Sequence, residues 1–263
     1  MSKQPIGIFD SGLGGLTILK ALRHTLPHED FIYFGDTANV PYGSKSKQTV
    51  TRFSLAIARF LETQHVQLIV VACNTASALA LPKLRQVCRV PVLGVIEPGA
   101  AAALQATRSG RIAVLGTEAT VRSQAYAKAL RKKNPRVKLL QQACPLFVPL
   151  VEENWARTRA TELVAETYLA PVKHHDADTV ILGCTHYPIL KPMLQKLLGK
   201  NVRLVDPAQT TAQAVAAFLP AISTRAKGKL TLYASDDPAR FKRLAGRLLG
   251  APVGRVHLKK LDI

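Results

Sequence analysis

The chain has 263 residues, 48% of them hydrophobic and 20% charged, which excludes a disordered chain. At about 100–200 residues per domain it holds one large domain or two small ones, and a chain this long needs no disulfide or metal staple to fold. Thirty-six Lys and Arg against 17 Asp and Glu leave a formal charge of +19, which suits a nucleic acid or an anionic ligand and says nothing of fold.

No apolar run reaches the roughly 18–20 residues of a membrane span. Met1 to Asp10 carries an acid where a secretory signal would carry its apolar centre. A soluble cytoplasmic protein without membrane contact is the expectation. Cys73, Cys88, Cys144 and Cys184 are widely spread and form no CxxC pair, so free thiols are expected rather than a zinc ribbon.

Along the chain, short apolar runs alternate with amphipathic stretches. The runs are Ile6–Phe9, Phe31–Phe34, Leu68–Ala72, Val90–Ile96, Ile112–Leu115, Val137–Leu140, Thr179–Leu182, Val202–Val205 and Leu230–Tyr233. They show little polar alternation, as expected of strands buried on both faces of a parallel sheet. Helical patterns lie between them at Thr17–Thr25, Gln48–Gln64, Arg122–Lys133 and Ala239–Leu249. This alternation predicts an α/β fold with right-handed crossovers.

The chain also repeats itself loosely. Leu68 to Thr75 resembles Val180 to His186, which sets Cys73 and Cys184 at matching places 111 residues apart. Each Cys precedes a Pro that opens a helical stretch (Pro82, Pro192), and a further strand then ends in an acid, Glu97 or Asp206. Two similar domains are predicted, each a mainly parallel sheet flanked by helices, with the active site in the cleft between them. Residues 1–97 plus 208–263 form the Cys73 side, and residues 98–207 form the Cys184 side. The chain then crosses between the halves twice, at Glu97–Pro98 and Asp206–Pro207, as a two-stranded hinge.

In open α/β sheets ligands bind beyond the carboxyl ends of the strands. The polar residues at those ends are Asp10-Ser11, Asp36-Thr37, Cys73-Asn74-Thr75, Thr117, Thr120 and Cys184-Thr185-His186. A free Cys is usually a small buried apolar residue. Two that recur at matching strand ends, each followed by polar residues at a helix start, point to chemistry. Opposed thiols suit a proton exchange at carbon, one removing a proton from one face and the other supplying one to the opposite face. Asp10 to Thr17 is a Gly-rich strand-to-helix turn, but neither GxGxxG nor GxxxxGK[ST] is present.

The segments Gly7 to Thr17, Tyr33 to Gly43, Ala72 to Ala76 and Gly183 to Pro188, with weaker stretches at Gly116–Ser123 and Cys144–Glu152, resemble the cofactor-independent aspartate/glutamate racemase superfamily, and within it the glutamate enzymes. The resemblance implies interconversion of L- and D-glutamate for peptidoglycan synthesis and cell shape, with neither pyridoxal phosphate nor metal. It assigns Cys184 to take the Cα proton from L-glutamate and Cys73 to return one to the other face. It gives Asp10 to Cys73 as an assistant, and His186 with Glu152 to Cys184. Asp10, Ser11, Pro41, Tyr42, Gly43, Ser44, Asn74, Thr75, Thr117, Thr120, Thr185 and His186 would hold the amino acid. Cys88 is expected to be structural, and Cys144 to stand at most behind the site. Racemisation of aspartate, or a related isomerisation, is the alternative within the superfamily.

Basic residues cluster in Arg108–Lys138, with nine Lys or Arg against Glu118, and in Arg225–Ile263, with ten against three acids. A solvated basic surface accounts for both. The sharper alternative is a second role in binding DNA or an acidic partner such as gyrase, although no aromatic interleaving or nucleic-acid motif accompanies the charge. A homodimer is a further alternative among partners.

Overall fold

In the computed structural model, residues 4–219 and 226–262 are described; Met1, Arg225 and Ile263, which bound stretches named above, lie outside them. The first third of the chain gives β1 (Ile6–Asp10), α1 (Leu16–Thr25), β2 (Phe31–Gly35), α2 (Lys47–Thr63), β3 (Leu68–Val71), α3 (Asn74–Leu79), α4 (Leu81–Val87) and β4 (Val92–Gly94). The middle gives α5 (Ile96–Ala106), β5 (Arg111–Gly116), α6 (Glu118–Ser123), α7 (Ala125–Lys133), β6 (Lys138–Ala143), α8 (Phe147–Glu152), α9 (Arg159–His174), β7 (Thr179–Gly183), α10 (Lys191–Leu198) and β8 (Arg203–Val205). The last part gives α11 (Pro207–Phe218), β9 (Leu230–Ala234), α12 (Pro238–Leu249) and β10 (Val256–Leu258).

The strands form two sheets, ordered β10-β9-β2-β1-β3-β4 and β6-β5-β7-β8, with every pair parallel. The unbroken apolar runs have a simple cause. The first sheet is covered by α1, α11 and α12 on one face and by α2, α3 and α4 on the other. The second is covered by α8, α9 and α10 on one face and by α5 and α7 on the other. A strand buried on both faces has no solvent side on which to place a polar residue. In each sheet the strand order reverses beside the first strand, β1 or β5.

Two expected elements come out differently. The predicted strand Val90–Ile96 contracts to Val92–Gly94, and Ile96 opens α5. Gly94 packs so closely on Ser77 and Leu81 that a Cβ there would meet Leu81 at 2.7 Å, and the backbone turns helical at Val95. Glu97 therefore lies in a first helical turn, where it suits the dipole and makes a two-armed pair with Arg85, instead of ending a strand. The predicted helix Arg122–Lys133 starts earlier, because Thr117 caps Thr120 N–H, and it breaks at Gln124, whose φ of 58° is left-handed. That break re-aims the following turn and carries Tyr126 into the interior.

Among the described residues, no helix is long and apolar enough to cross a membrane.

Candidate active site

The site collects residues from the carboxyl ends of β1, β3, β5 and β7. Cys73 is the N-cap of α3, and its Sγ accepts the Ala76 N–H at 3.5 Å, a place more often held by Ser, Thr, Asp or Asn. Cys184 follows β7 directly. Both thiols line one cavity of about 90 Å³, together with Ser11, Pro41, Tyr42, Gly43, Ser44, Asn74, Thr75, Thr117, Thr185 and His186. Val40, Glu118, Pro145, Val148 and Pro149 complete the wall. The cavity is lined by neither Lys nor Arg, so apart from His186 the donors it offers are neutral N–H and O–H groups.

The two thiols sit in different surroundings. Burial first, and then the charge of Asp10, pushes Cys73 up to about 12, while the Ala76 N–H and Ser11 oppose the shift. The Cys73 S–H points to Ser11 Oγ at 3.7 Å. Cys73 is thus held as a neutral thiol. Cys184 Sγ lies 3.8 Å from His186 Nδ1, and His186 Nε2 lies 3.1 Å from Glu152 Oε1. Burial works against a charged His186, but its bonds to Cys184 and Glu152 outweigh that cost and push it up to about 10. An imidazolium therefore stands beside Cys184, oriented by a carboxylate through its far nitrogen.

Asp10 and Thr120 do not line the cavity wall. Asp10 is fully buried beneath it, accepting Gly12 N–H at 2.9 Å and the Thr185 hydroxyl at 3.4 Å. Burial holds its carboxyl above the usual carboxylate range, although His186, two backbone N–H groups and Thr185 oppose the shift. Its charge reaches both Cys73 and His186, so one carboxylate couples the two thiol sites. Thr120 stands behind Thr75 and Thr117, with the three hydroxyl oxygens 2.9–3.3 Å apart. Glu152 acts from the end of α8, behind His186.

The Pro41–Ser44 segment is fixed from below. Tyr42 donates to the buried Asp36, which also accepts from Ser235 at 2.8 Å and Asn39 at 3.0 Å. Asp36, a strand-end acid in the sequence, anchors a cavity wall. The remaining wall residues, Glu118, Pro145, Val148 and Pro149, come from the starts of α6 and α8. These starts lie within the weaker family-like stretches Gly116–Ser123 and Cys144–Glu152. Cys144 is buried beside Cys184 and lies outside the wall, and Cys88 caps the end of α4. Among the described residues, no group of three or more His, Cys, Asp or Glu side chains is arranged to hold a metal ion.

Glycines set how closely the two halves approach. A Cβ on Gly14 would overlap Thr185 Oγ1 and reach His186 Nδ1 at 2.8 Å. One on Gly43 would meet Thr117 at 2.7 Å. Both contacts join the first sheet's loops to the second sheet's. Gly14→Ala is therefore expected to force the Asp10 turn away from Cys184–His186. The activity proposed below should fall by about 100-fold or more, in keeping with the cost of an ångström-scale misplacement. Far-ultraviolet circular dichroism should stay native, because the clash lies outside the four hydrophobic clusters that cover the two sheets.

A sequence profile of the Asp/Glu/Hydantoin racemase family matches residues 16–215. The chain belongs to this family. It is 52% identical to a glutamate racemase of Geobacter metallireducens over 266 residues, covering 100% of this chain and 98% of that one. A crystal structure of a glutamate racemase isoform from Bacillus anthracis superposes with a TM-score of 0.94 at 34% identity, covering 100% of this chain and 99% of that one. One from Francisella tularensis in complex with D-glutamate superposes with a TM-score of 0.93 at 37% identity, again covering 100% and 99%. The family and the parallel two-sheet fold expected from the sequence are both confirmed.

Proposed function

We propose that the chain interconverts L- and D-glutamate, moving the Cα proton between two thiols. The observation that carries this reading is the pair Cys73 and Cys184 on one small cavity, one held as a neutral thiol and the other beside an imidazolium. Cys184, as thiolate, removes the Cα proton of L-glutamate and becomes a thiol. Cys73, a thiol, gives its proton to the opposite face and becomes a thiolate. D-glutamate leaves, and the reverse turnover or exchange with water resets both sulfurs. His186, oriented by Glu152, stabilises the Cys184 thiolate, and Asp10 assists Cys73 from beneath.

The Cα–H of an amino acid is a very weak acid, so charge developing on the substrate must meet fixed donors in a water-poor site. Ser11, Asn74, Thr75, Thr117 and Thr185 supply neutral donors for the carboxylates, with Thr120 holding two of them from behind. Pro41, Tyr42, Gly43 and Ser44 close one side. We further propose that residues 98–207 move against residues 1–97 plus 208–263 about the two crossings, where Gly99 packs on Pro207, to admit glutamate and exclude water. The D-glutamate formed serves peptidoglycan synthesis.

The test is purified protein with L-glutamate in D2O, without added cofactor, followed by proton NMR and circular dichroism. Loss of optical activity together with deuterium at Cα is the expected result. The same behaviour with aspartate in place of glutamate would keep the two-thiol chemistry and overturn the substrate. No exchange with either would overturn both.

A further inference from the structure

We infer that Tyr126 is a positioning residue for the reaction: it fixes the side-chain amide of Asn74, beside Cys73, in register with the turn that carries Cys184. Tyr126 comes from α7, in the half that carries Cys184, and is fully buried. Its hydroxyl donates to Asn74 Oδ1 at 2.7 Å, so the bond crosses between the halves at the first residue after Cys73. The ring is held from the other side. A Cβ on Gly183, the residue before Cys184, would meet Leu115 O at 2.7 Å and Tyr126 Cε2 at 3.2 Å. A Cβ on Gly99 would meet the Tyr126 hydroxyl at 3.3 Å. The phenol is therefore wedged against the Cys184 turn while it grips the Cys73 turn.

The chemical consequence lies in the amide. A side-chain amide has an acceptor end and a donor end, and the two are easily exchanged by rotation. Turning the amide over would let its NH2 donate to the phenol oxygen but would take away the acceptor that the buried O–H uses. Tyr126 thus commits the carbonyl end to the interior and leaves the NH2 end of Asn74 for the cavity that Asn74 lines. A carboxylate substrate needs a donor there. Tyr126 touches no substrate itself and acts only through Asn74. The break at Gln124, without which α7 would continue α6, aims the ring inward.

This inference rests on the glutamate reading, and the experiment separates the two. Wild-type protein is assayed first; if it does not racemise glutamate, the functional reading fails and the role of Tyr126 falls with it. With wild type active, Tyr126→Phe removes only the hydroxyl. The expected result is a KM for glutamate raised about tenfold in both directions, with kcat within about threefold and the apo melting temperature lowered by a few degrees, as one unpaired buried carbonyl costs. In an Asn74→Ala background the same substitution should add no further loss, because its partner is already gone. The cycle separates this loss of stability from the loss of binding, since a packing defect that does not run through Asn74 would raise KM as much with Asn74 absent. An unchanged KM, or a full additional loss in the Asn74→Ala background, would overturn the assignment.

Discussion

Replacing either Cys73 or Cys184 by serine is expected to lower kcat/KM for glutamate by about 10³-fold or more in both directions, since each turnover needs an acid and a base of thiol strength. A serine hydroxyl is too weak an acid to replace the thiol that Cys73 supplies, and its alkoxide is out of reach at neutral pH for the role of Cys184. The two variants should differ in what they retain. Cys73→Ser keeps Cys184, His186 and Glu152 intact, so L-glutamate in D2O should slowly gain deuterium at Cα without losing optical activity. Cys184→Ser should do the same to D-glutamate through Cys73. Cys88→Ser, at the end of α4 and away from the cavity, should turn over as wild type. Proton NMR of α-deuteration against circular dichroism separates one-face exchange from racemisation. Near-wild-type turnover in either thiol variant would remove the two-thiol mechanism.

The features legible in the sequence are those that a local pattern dictates. Strands such as Val180–Leu182 and Ile6–Phe9 are buried on both faces, and that leaves an unbroken apolar run for the eye. The thiol turns stood out because Cys73-Asn74-Thr75 and Cys184-Thr185-His186 follow matching strands. Contacts made only when the halves meet left no local mark. Gly14 reads as one glycine in a turn, and nothing nearby says that its missing Cβ makes room for His186. Tyr126 reads as a lone aromatic in a basic helix, although it bonds a residue 52 positions away. Gln124 is an ordinary helical residue by propensity, and tertiary packing overrides that preference to bury Tyr126. Thr120 and Asp10 are legible as site residues from their strand-end places, but their depth beneath the wall depends on Thr117 and Thr185 in front of them.

His186→Asn tests the other half of the mechanism, and its signature is shaped by symmetry. L- and D-glutamate have equal free energy, so every variant must keep the same kcat/KM in both directions. His186→Asn should therefore lower both by about 10²-fold, the scale of one positioned acid–base group. The asymmetry must appear in which proton transfer limits the rate. With the Cys184 thiolate weakened, removal of deuterium from α-deuterated L-glutamate becomes the slow step. The isotope effect should rise in that direction and fall from D-glutamate, where Cys73 does the removing. Equal isotope effects in the two directions would separate His186 from Cys184. The pH dependence follows from the same contact. His186 titrates near 10 in the folded chain against about 6.5 unfolded, because Cys184 and Glu152 hold its proton against the cost of burial. A raised value means the folded state holds the proton longer. The stabilisation is complete below about pH 6.5, declines as pH rises, and is gone above about pH 10. Wild type should lose melting temperature across that window more steeply than His186→Asn, and its kcat/KM should fall on an alkaline limb near pH 10 as the imidazolium deprotonates. A melting temperature flat from pH 6.5 to 10, or an identical slope in His186→Asn, would mean that His186 is neutral in the folded protein and leaves the Cys184 thiolate without its cation.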